Sequence, residues 1–274
     1  MLALLTNFDL EREARSMIGE FANYSHYTHT IEEDAIVFSR QGLFARFVPE
    51  ALSPKAMRLA LPVMQAVKTR VTNRGNAAAK GSMMPRIIKK NGLLSATSEI
   101  PPEVNRLLGF SDQLGYLDAK KGSKKRGTHF CRRTGLTRRH PGYLEGIMPA
   151  VRRCDQLFCE ELPEQYAAQV AEIKSAGTFR ISPAFSTANL NRDWQTTYHK
   201  DKYDLRDGWI ALFALGDYEG GDLVVPRYRL RFNLRPGDVL FFKPHEVHGN
   251  LPFSGERLTA VLFGREHIAS CGSR

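Results

Sequence analysis

WIALFALGDYEGGDLVVPRYRLRFNLRPGDVLFFKP, residues 209–244, decides the fold. Four short apolar runs, WIALFALG, GDLVVP, YRLRFNL and DVLFFKP, are separated by YEGG and RPGD, which are turn sequences. The same texture extends in both directions. TFRISPAFSTANL and WQTTYHK precede it, VHGNLP and RLTAVLFGR follow, and RDG and FSGE mark further turns. Eight short β-like segments in about ninety residues predict a jelly roll or small barrel, not a parallel α/β sheet.

Upstream of Phe179 the apolar period is helical. GIMPAVRRCDQLFCEELPEQYAAQVAEIK carries Val151, Leu157, Phe158 and Leu162 at helical spacing, with Pro163 interrupting, and reads as a helix packed over the β region. The first seventy residues predict a helix over LEREARSMIGEFA, a strand pair at AIVFSR and LFARFV, and a helix over SPKAMRLALPVMQAVKTR. Ser53 and Pro54 supply the start signal of that last helix. The expected class is α+β: an N-terminal extension at 1–71, basic loops and packing helices at 72–175, and a double-stranded β-helix core at 176–268.

The chain has 274 residues, 42% of them hydrophobic, enough for a sizeable core. Its longest apolar run, WIALFAL, is far short of the roughly 20 residues a bilayer span needs, and MLALLTNFDL lacks the basic start of an export signal. An intracellular protein with no membrane partner is expected. Cys131, Cys154, Cys159 and Cys271 show no paired spacing, which predicts free thiols in a reducing setting.

The formal net charge is +10. AKKGSKKRGTHFCRRTGLTRRH, residues 119–140, holds nine Lys or Arg and no acid. Such a run reads as a phosphate-contacting surface, with Arg132 and Arg133 among the candidates, although a solvated charged loop has the same composition. TNRGNAAAKGSMMPRIIKKNG, residues 72–92, reads as a second cationic loop.

TTYHKDKYD, Thr196–Asp204, places His199 and Asp201 two residues apart, and in extended chain residues i and i+2 share a face. PHEVHGN adds His245 and His248 near a later strand. Two imidazoles and one carboxylate on one face of an ion leave the remaining positions open, as in non-haem Fe(II) oxygenases. His248 is the better third ligand because Arg257 follows nine residues later, with Thr259 on the same face. A guanidinium fork and a hydroxyl suit the distal carboxylate of 2-oxoglutarate.

In their order, HKD, YEGGDLVVP, LRPGDVLFF, HEVHGN and GERLTAVLF resemble the 2-oxoglutarate- and Fe(II)-dependent dioxygenases of the TET/JBP type, above all the compact phage, bacterial and fungal members. TNRGNAA and the segment FCRRTGLTRRHPGYLEGIMPAVRRCDQLFCEELPEQYAAQ extend the likeness, which spans roughly Thr72 to Glu266. The resemblance implies Fe(II), 2-oxoglutarate and O2 as cofactors, with His199, Asp201 and His248 on iron and Arg257 as the 2-oxoglutarate clamp. It implies methylated DNA as partner, with the target base flipped out of the stack and 5-methylcytosine oxidised to 5-hydroxymethylcytosine.

Asp204 matches a position that is acidic in several members and accepts from the cytosine amine. Asn189 and Asn191 lie on the strand before the iron motif, where one of them would face the cofactor. His267 is a candidate to close over the base, and Asn73 and Arg74 are candidates to hold phosphates. The compact form implies a bacterial cytoplasm or a phage-infected cell. Two rival readings are an oxygenase of the same fold acting on thymine or another substrate, and an inactive jelly roll that only binds DNA.

Overall fold

The computed structural model describes residues 2–6, 8–69, 109–118, 131–201 and 203–272. Asn73, Arg74 and most of the basic run, Lys120 to Phe130, lie outside the described residues.

Two sheets face each other. The larger has the order β1 (Leu2–Leu5), β3 (Ala35–Ser39), β4 (Gly42–Val48), β12 (Val239–Phe242), β8 (Ile210–Leu215), β15 (Leu258–Phe263), β7 (Thr187–Arg192), β5 (Phe110–Leu117) and β6 (Arg132–Arg133). The smaller has the order β13 (Gly249–Asn250), β10 (Leu223–Val225), β11 (Leu230–Phe232) and β2 (His29–Ile31). A separate ribbon pairs β9 (Tyr218–Gly220) with β14 (Phe253–Gly255). This is the jelly roll expected from the turn-punctuated sequence.

Strand alternation assigns the core. On β12, Leu240 and Phe242 point between the sheets, where they meet Ile210, Leu212, Leu223, Val225 and Phe232. Val239 and Phe241 point the other way, onto helices. All six residues of β8 are buried, because that strand is covered on both faces. The unbroken apolar run WIALFAL is therefore a two-sided strand. The covering layer is the helix Pro54–Gln65 with the helices Gly142–Glu161 and Pro163–Ile173. Ser53 Oγ accepts the Ala56 N–H at 3.2 Å and Pro54 opens the first turn, a cap that contributes about 1 kcal/mol. Pro163 ends one helix and begins another instead of kinking one.

Residues before Ser53 join both sheets: β4 pairs antiparallel with β12, and β2 pairs parallel with β11. The predicted helix over residues 10–22 is shorter, Glu11–Ser16, because the chain beyond it leaves the helical path to pair with the segment before His199. WQTTYHK is likewise no regular strand; among the described residues its ladder pairings are the isolated bridges from Thr197 to Phe21 and from His199 to His248.

The cysteine expectation is corrected. Cys131 and Cys271, 140 residues apart in sequence, form a disulfide with Cα atoms 5.6 Å apart, while Cys154 and Cys159 are free. The pairing is invisible to local spacing. It arises because β6 adds to the edge of β5 while the C-terminal turn Ile268–Gly272 folds back onto Ile173 and Ala176. Among the described residues no helix is long and apolar enough to cross a membrane.

Candidate active site

His199 and His248 face each other across the bridge that joins their backbones, with N–H to carbonyl distances of 2.9 and 3.0 Å. Their rings lie 4.4 Å apart, and both residues are buried. Each Nδ1–H donates to a main-chain carbonyl two residues earlier, that of Thr197 at 2.7 Å and that of Glu246 at 2.9 Å. Both Nε2 atoms are thereby left as acceptors aimed at one point. Asp201 Oδ1 is 3.7 Å from Nε2 of His199, and its Oδ2 is 3.7 Å from Nε2 of His248. These gaps exceed a hydrogen bond and suit three donors spread about one ion. All three ligand atoms lie within 4.8 Å of one another.

Burial, and secondarily the charge of His199, depresses the His248 imidazole to about 4, so it is neutral at physiological pH as a metal ligand must be. His245 is not part of this group; its Nε2 meets the Leu205 carbonyl at 3.0 Å.

The donors open into a cavity of about 620 Å³, within the range of small-molecule sites. At one end lies Arg257, fully buried, with its guanidinium 5.5 Å from the Tyr218 ring and 5.6 Å from that of Phe253. Those rings come from the β9–β14 ribbon and hold the cation without taking its N–H donors. Among the described residues Arg257 Nε has no hydrogen-bond partner. An orphaned buried guanidinium N–H, in a wall that also carries the buried Thr259, suits a carboxylate.

The GG of the ribbon explains itself here. Gly221 sits at φ +75°, and a Cβ on it would fall onto Nε and Cδ of Arg257. The donor set fits an Fe(II)-type ion, and this cradle fits the far carboxylate of 2-oxoglutarate.

Asn189 and Asn191 both line the cavity. Asn191 Nδ2 donates to Thr259 Oγ1 at 3.2 Å, and Asn189 Nδ2 donates to Asn191 Oδ1 at 3.0 Å. Asp204 lines the opposite end and is buried; its carboxyl is pushed well above the usual range by burial first and by Asp201 second, with Arg265 opposing. Arg132 also lines the cavity, while Arg133, next on β6, is exposed on the other face. His267 is exposed beside Glu266 and is not among the lining residues.

Sequence reasoning missed a buried ion pair in this wall, Arg265 Nε to Asp118 Oδ1 at 2.7 Å. The signal was present. Arg257, Thr259, Val261, Phe263 and Arg265 form one period-two series that runs through β15 and past both its ends, and all five line the cavity.

Comparison with known proteins agrees with this geometry. Residues 114–266 match the Tet_JBP family, described as the oxygenase domain of the 2OGFeDO superfamily. Bifunctional helicase and thymine dioxygenase JBP2 of Leishmania infantum is 31% identical over 174 residues, which is 63% of this chain and 15% of that protein. JBP2 of Trypanosoma brucei brucei is 38% identical over 139 residues, 50% of this chain and 12% of the relative. Thymine dioxygenase JBP1-A of Trypanosoma cruzi is 26% identical over 246 residues, 88% of this chain and 26% of its own length. The chain thus spans a small part of each of these relatives.

In fold, the structure of NgTET1 in complex with 5mC DNA superposes with a TM-score of 0.54 at 15% identity, covering 96% of this chain and 90% of that one. Since the matched segment covers more than half of its length, the chain belongs to the Tet_JBP family of 2OGFeDO oxygenases, which use Fe(II), 2-oxoglutarate and O2.

Proposed function

We propose that this oxygenase hydroxylates the C5 methyl group of a pyrimidine in DNA, with 5-methylcytosine as the first reading. The observation that carries it is one cavity holding three things in order: the carboxylate cradle at Arg257, the His199–Asp201–His248 donors, and a buried carboxyl at Asp204. When bound, Fe(II) and 2-oxoglutarate supply with O2 the oxidation of an unactivated C–H bond.

The side chains do the rest. Arg257 and Thr259 would bind the far carboxylate, and His199, Asp201 and His248 would hold one face of the ion. Ile210, Leu212, Phe242 and Val261 line the cavity with apolar surface that excludes water. A base methyl reaches so enclosed a site only if the nucleotide leaves the stack, at a cost of a few kcal/mol. Lys200 and Arg132, both lining the cavity, would meet the flanking phosphates, beside the sequence candidates Asn73 and Arg74.

Ionised, Asp204 only accepts, which suits the N4 amine of cytosine and not O4 of thymine. A second reading, thymine, is favoured by two observations. The curated relatives are thymine dioxygenases, and burial pushes Asp204 toward its neutral form, which can also donate to O4.

The test is incubation with Fe(II), 2-oxoglutarate and air on DNA with and without 5-methylcytosine, read by nucleoside mass spectrometry. One added oxygen on 5-methylcytosine is the expected product. The same gain on thymine transfers the assignment to the second reading. Succinate without any base oxidation removes DNA as the substrate.

A further inference from the structure

Residues 9–26 contact the backbone and side chains that flank both histidines. On the His199 side, the Gly19 N–H donates to the Tyr198 carbonyl at 2.8 Å, the Tyr198 N–H donates to the Glu20 carbonyl at 2.8 Å, and Phe21 bridges Thr197. The Thr197 carbonyl is the acceptor that orients the His199 ring. The peptide that fixes one ligand is therefore itself pinned by residues 19–21.

The His248 side has a matching support. Its Nδ1–H is taken by the Glu246 carbonyl, and the Glu246 carboxylate accepts from Arg227 Nη1 at 2.8 Å. Arg227 is buried, and its Nε donates to Asp9 Oδ1 at 2.7 Å. Its Nη2 stands 3.6 Å from Glu11 Oε2, and its carbonyl accepts the Leu10 N–H at 2.9 Å.

Between these two supports runs a small apolar core. Tyr198 and Val247 each precede a histidine ligand and so point away from the cavity, where they pack with Ala14, Ala22, Val224 and Leu251. The Tyr198 hydroxyl shares a 3.0 Å hydrogen bond with His26 Nδ1.

We propose that the segment Asp9–His26, acting through Arg227 and the Thr197 peptide, is the support of the metal centre, and that Arg227 is a positioning residue for the divalent ion. Neither Arg227 nor this segment belongs to the donor group; they fix the two carbonyls that set the imidazole tautomers and directions. Partners of this kind change metal affinity about tenfold to a hundredfold when removed.

The inference rests on His199, Asp201 and His248 being the metal site, and the closing experiment separates the two. Mn(II), which takes the same nitrogen and oxygen donors, is titrated calorimetrically into the full chain and its variants. Absence of binding by the unaltered chain overturns the site and the inference together. With the site intact, Arg227→Met is expected to weaken Mn(II) binding by about tenfold or more.

Arg46→Met is the matched control. Arg46 is also a buried guanidinium, ion-paired with Asp34 and Glu161, but on β4 and away from the histidines. Its loss should leave Mn(II) affinity within about twofold of the unaltered value, as for any site without shared partners. Equal weakening in both variants, or none in Arg227→Met, overturns the proposal. Should Arg227→Met fail to fold, Asp9→Ala removes one half-exposed arm of the support and is expected to weaken Mn(II) binding about threefold. An unchanged affinity in Asp9→Ala then overturns it.

Discussion

The two ends of the cavity are built by different means. Thr259 lies near the start of β15, a strand in continuous register with β7 on one side and β8 on the other, and Arg257 immediately precedes that strand. His199 and Asp201 lie on irregular backbone whose only ladder contacts are isolated bridges. A strand fixes a side chain through neighbours on both edges, so the proposed cosubstrate end is held by the sheet at Thr259 and directly beside it at Arg257. The metal end is placed by long-range partners, the His248 peptide on one side and residues 19–21 on the other. A fault at one end should therefore leave the other end working.

The largest effect is expected at the metal end. Asp201→Ala removes the one carboxylate of the donor set, and two imidazoles alone do not hold an Fe(II)-type ion well. Turnover should fall below detection and Mn(II) binding should be lost, while DNA binding measured by anisotropy stays near its unaltered value. Residual turnover above a tenth of normal would remove Asp201 from the site.

The pH dependence of the metal-free chain tests the same end. His248 is depressed from an ordinary 6.5 to about 4, by burial first and by His199 second. Between those two values the unfolded chain takes up a proton that the folded chain refuses, so this group lowers stability as pH falls from about 6.5 toward 4. Asp204 acts oppositely: its raised pKa favours the folded state at low pH and withdraws that support as pH rises past its unfolded value of 3.8. The difference between the melting curves of the unaltered chain and His248→Gln isolates the histidine. The gap should change steadily over that window, and a constant gap would show that His248 is not a buried neutral base.

How legible each end was in the sequence follows from the same contrast. The two-sided burial of β8, the start of the helix at Ser53 and the period-two partnership of Arg257 with Thr259 are all written in local pattern. Local pattern also found His199 and Asp201, since two residues of extended backbone suffice to share a face, but it misread their setting as a strand. Register along β15 would have delivered Arg265 had it been carried two positions beyond Phe263. His267, the candidate that the sequence offers beyond the strand, has an exposed side chain. The Cys131–Cys271 bond and the support beneath the histidines join segments 140 and more residues apart, and no window of sequence contains both partners. The dense run of cations is legible as composition, and of it the stretch Cys131 to His140 falls among the described residues.

At the cosubstrate end, Gly221→Ala tests the cradle. At φ +75° an alanine is strained by about 1–3 kcal/mol, and its Cβ displaces the Arg257 side chain. The expected result is a rise of about tenfold or more in the KM for 2-oxoglutarate, the loss of one or two charge-assisted hydrogen bonds, with Mn(II) affinity unchanged. A variant whose Mn(II) affinity falls as much as its 2-oxoglutarate affinity would show that the two ends are one coupled unit.

The finest probe is Asn191→Ala. Thr259 Oγ1 accepts from Asn191 Nδ2, which leaves the hydroxyl hydrogen free to point at a bound carboxylate. Asn191 in turn accepts from Asn189, and Asn189 accepts from Ser111 Oγ at 3.3 Å, so the hydroxyl is the last member of a polar ladder across β5, β7 and β15. Removing Asn191 lets the hydroxyl turn toward other acceptors and costs the carboxylate about 1 kcal/mol, a rise of about fivefold in the KM for 2-oxoglutarate at nearly constant kcat. Asn189→Ala, one step further back, should do less, because the Asn191–Thr259 bond survives it. If the two variants raised KM equally the ladder would be acting as a whole, and register along β15 would matter less than the network that ties it to its neighbours.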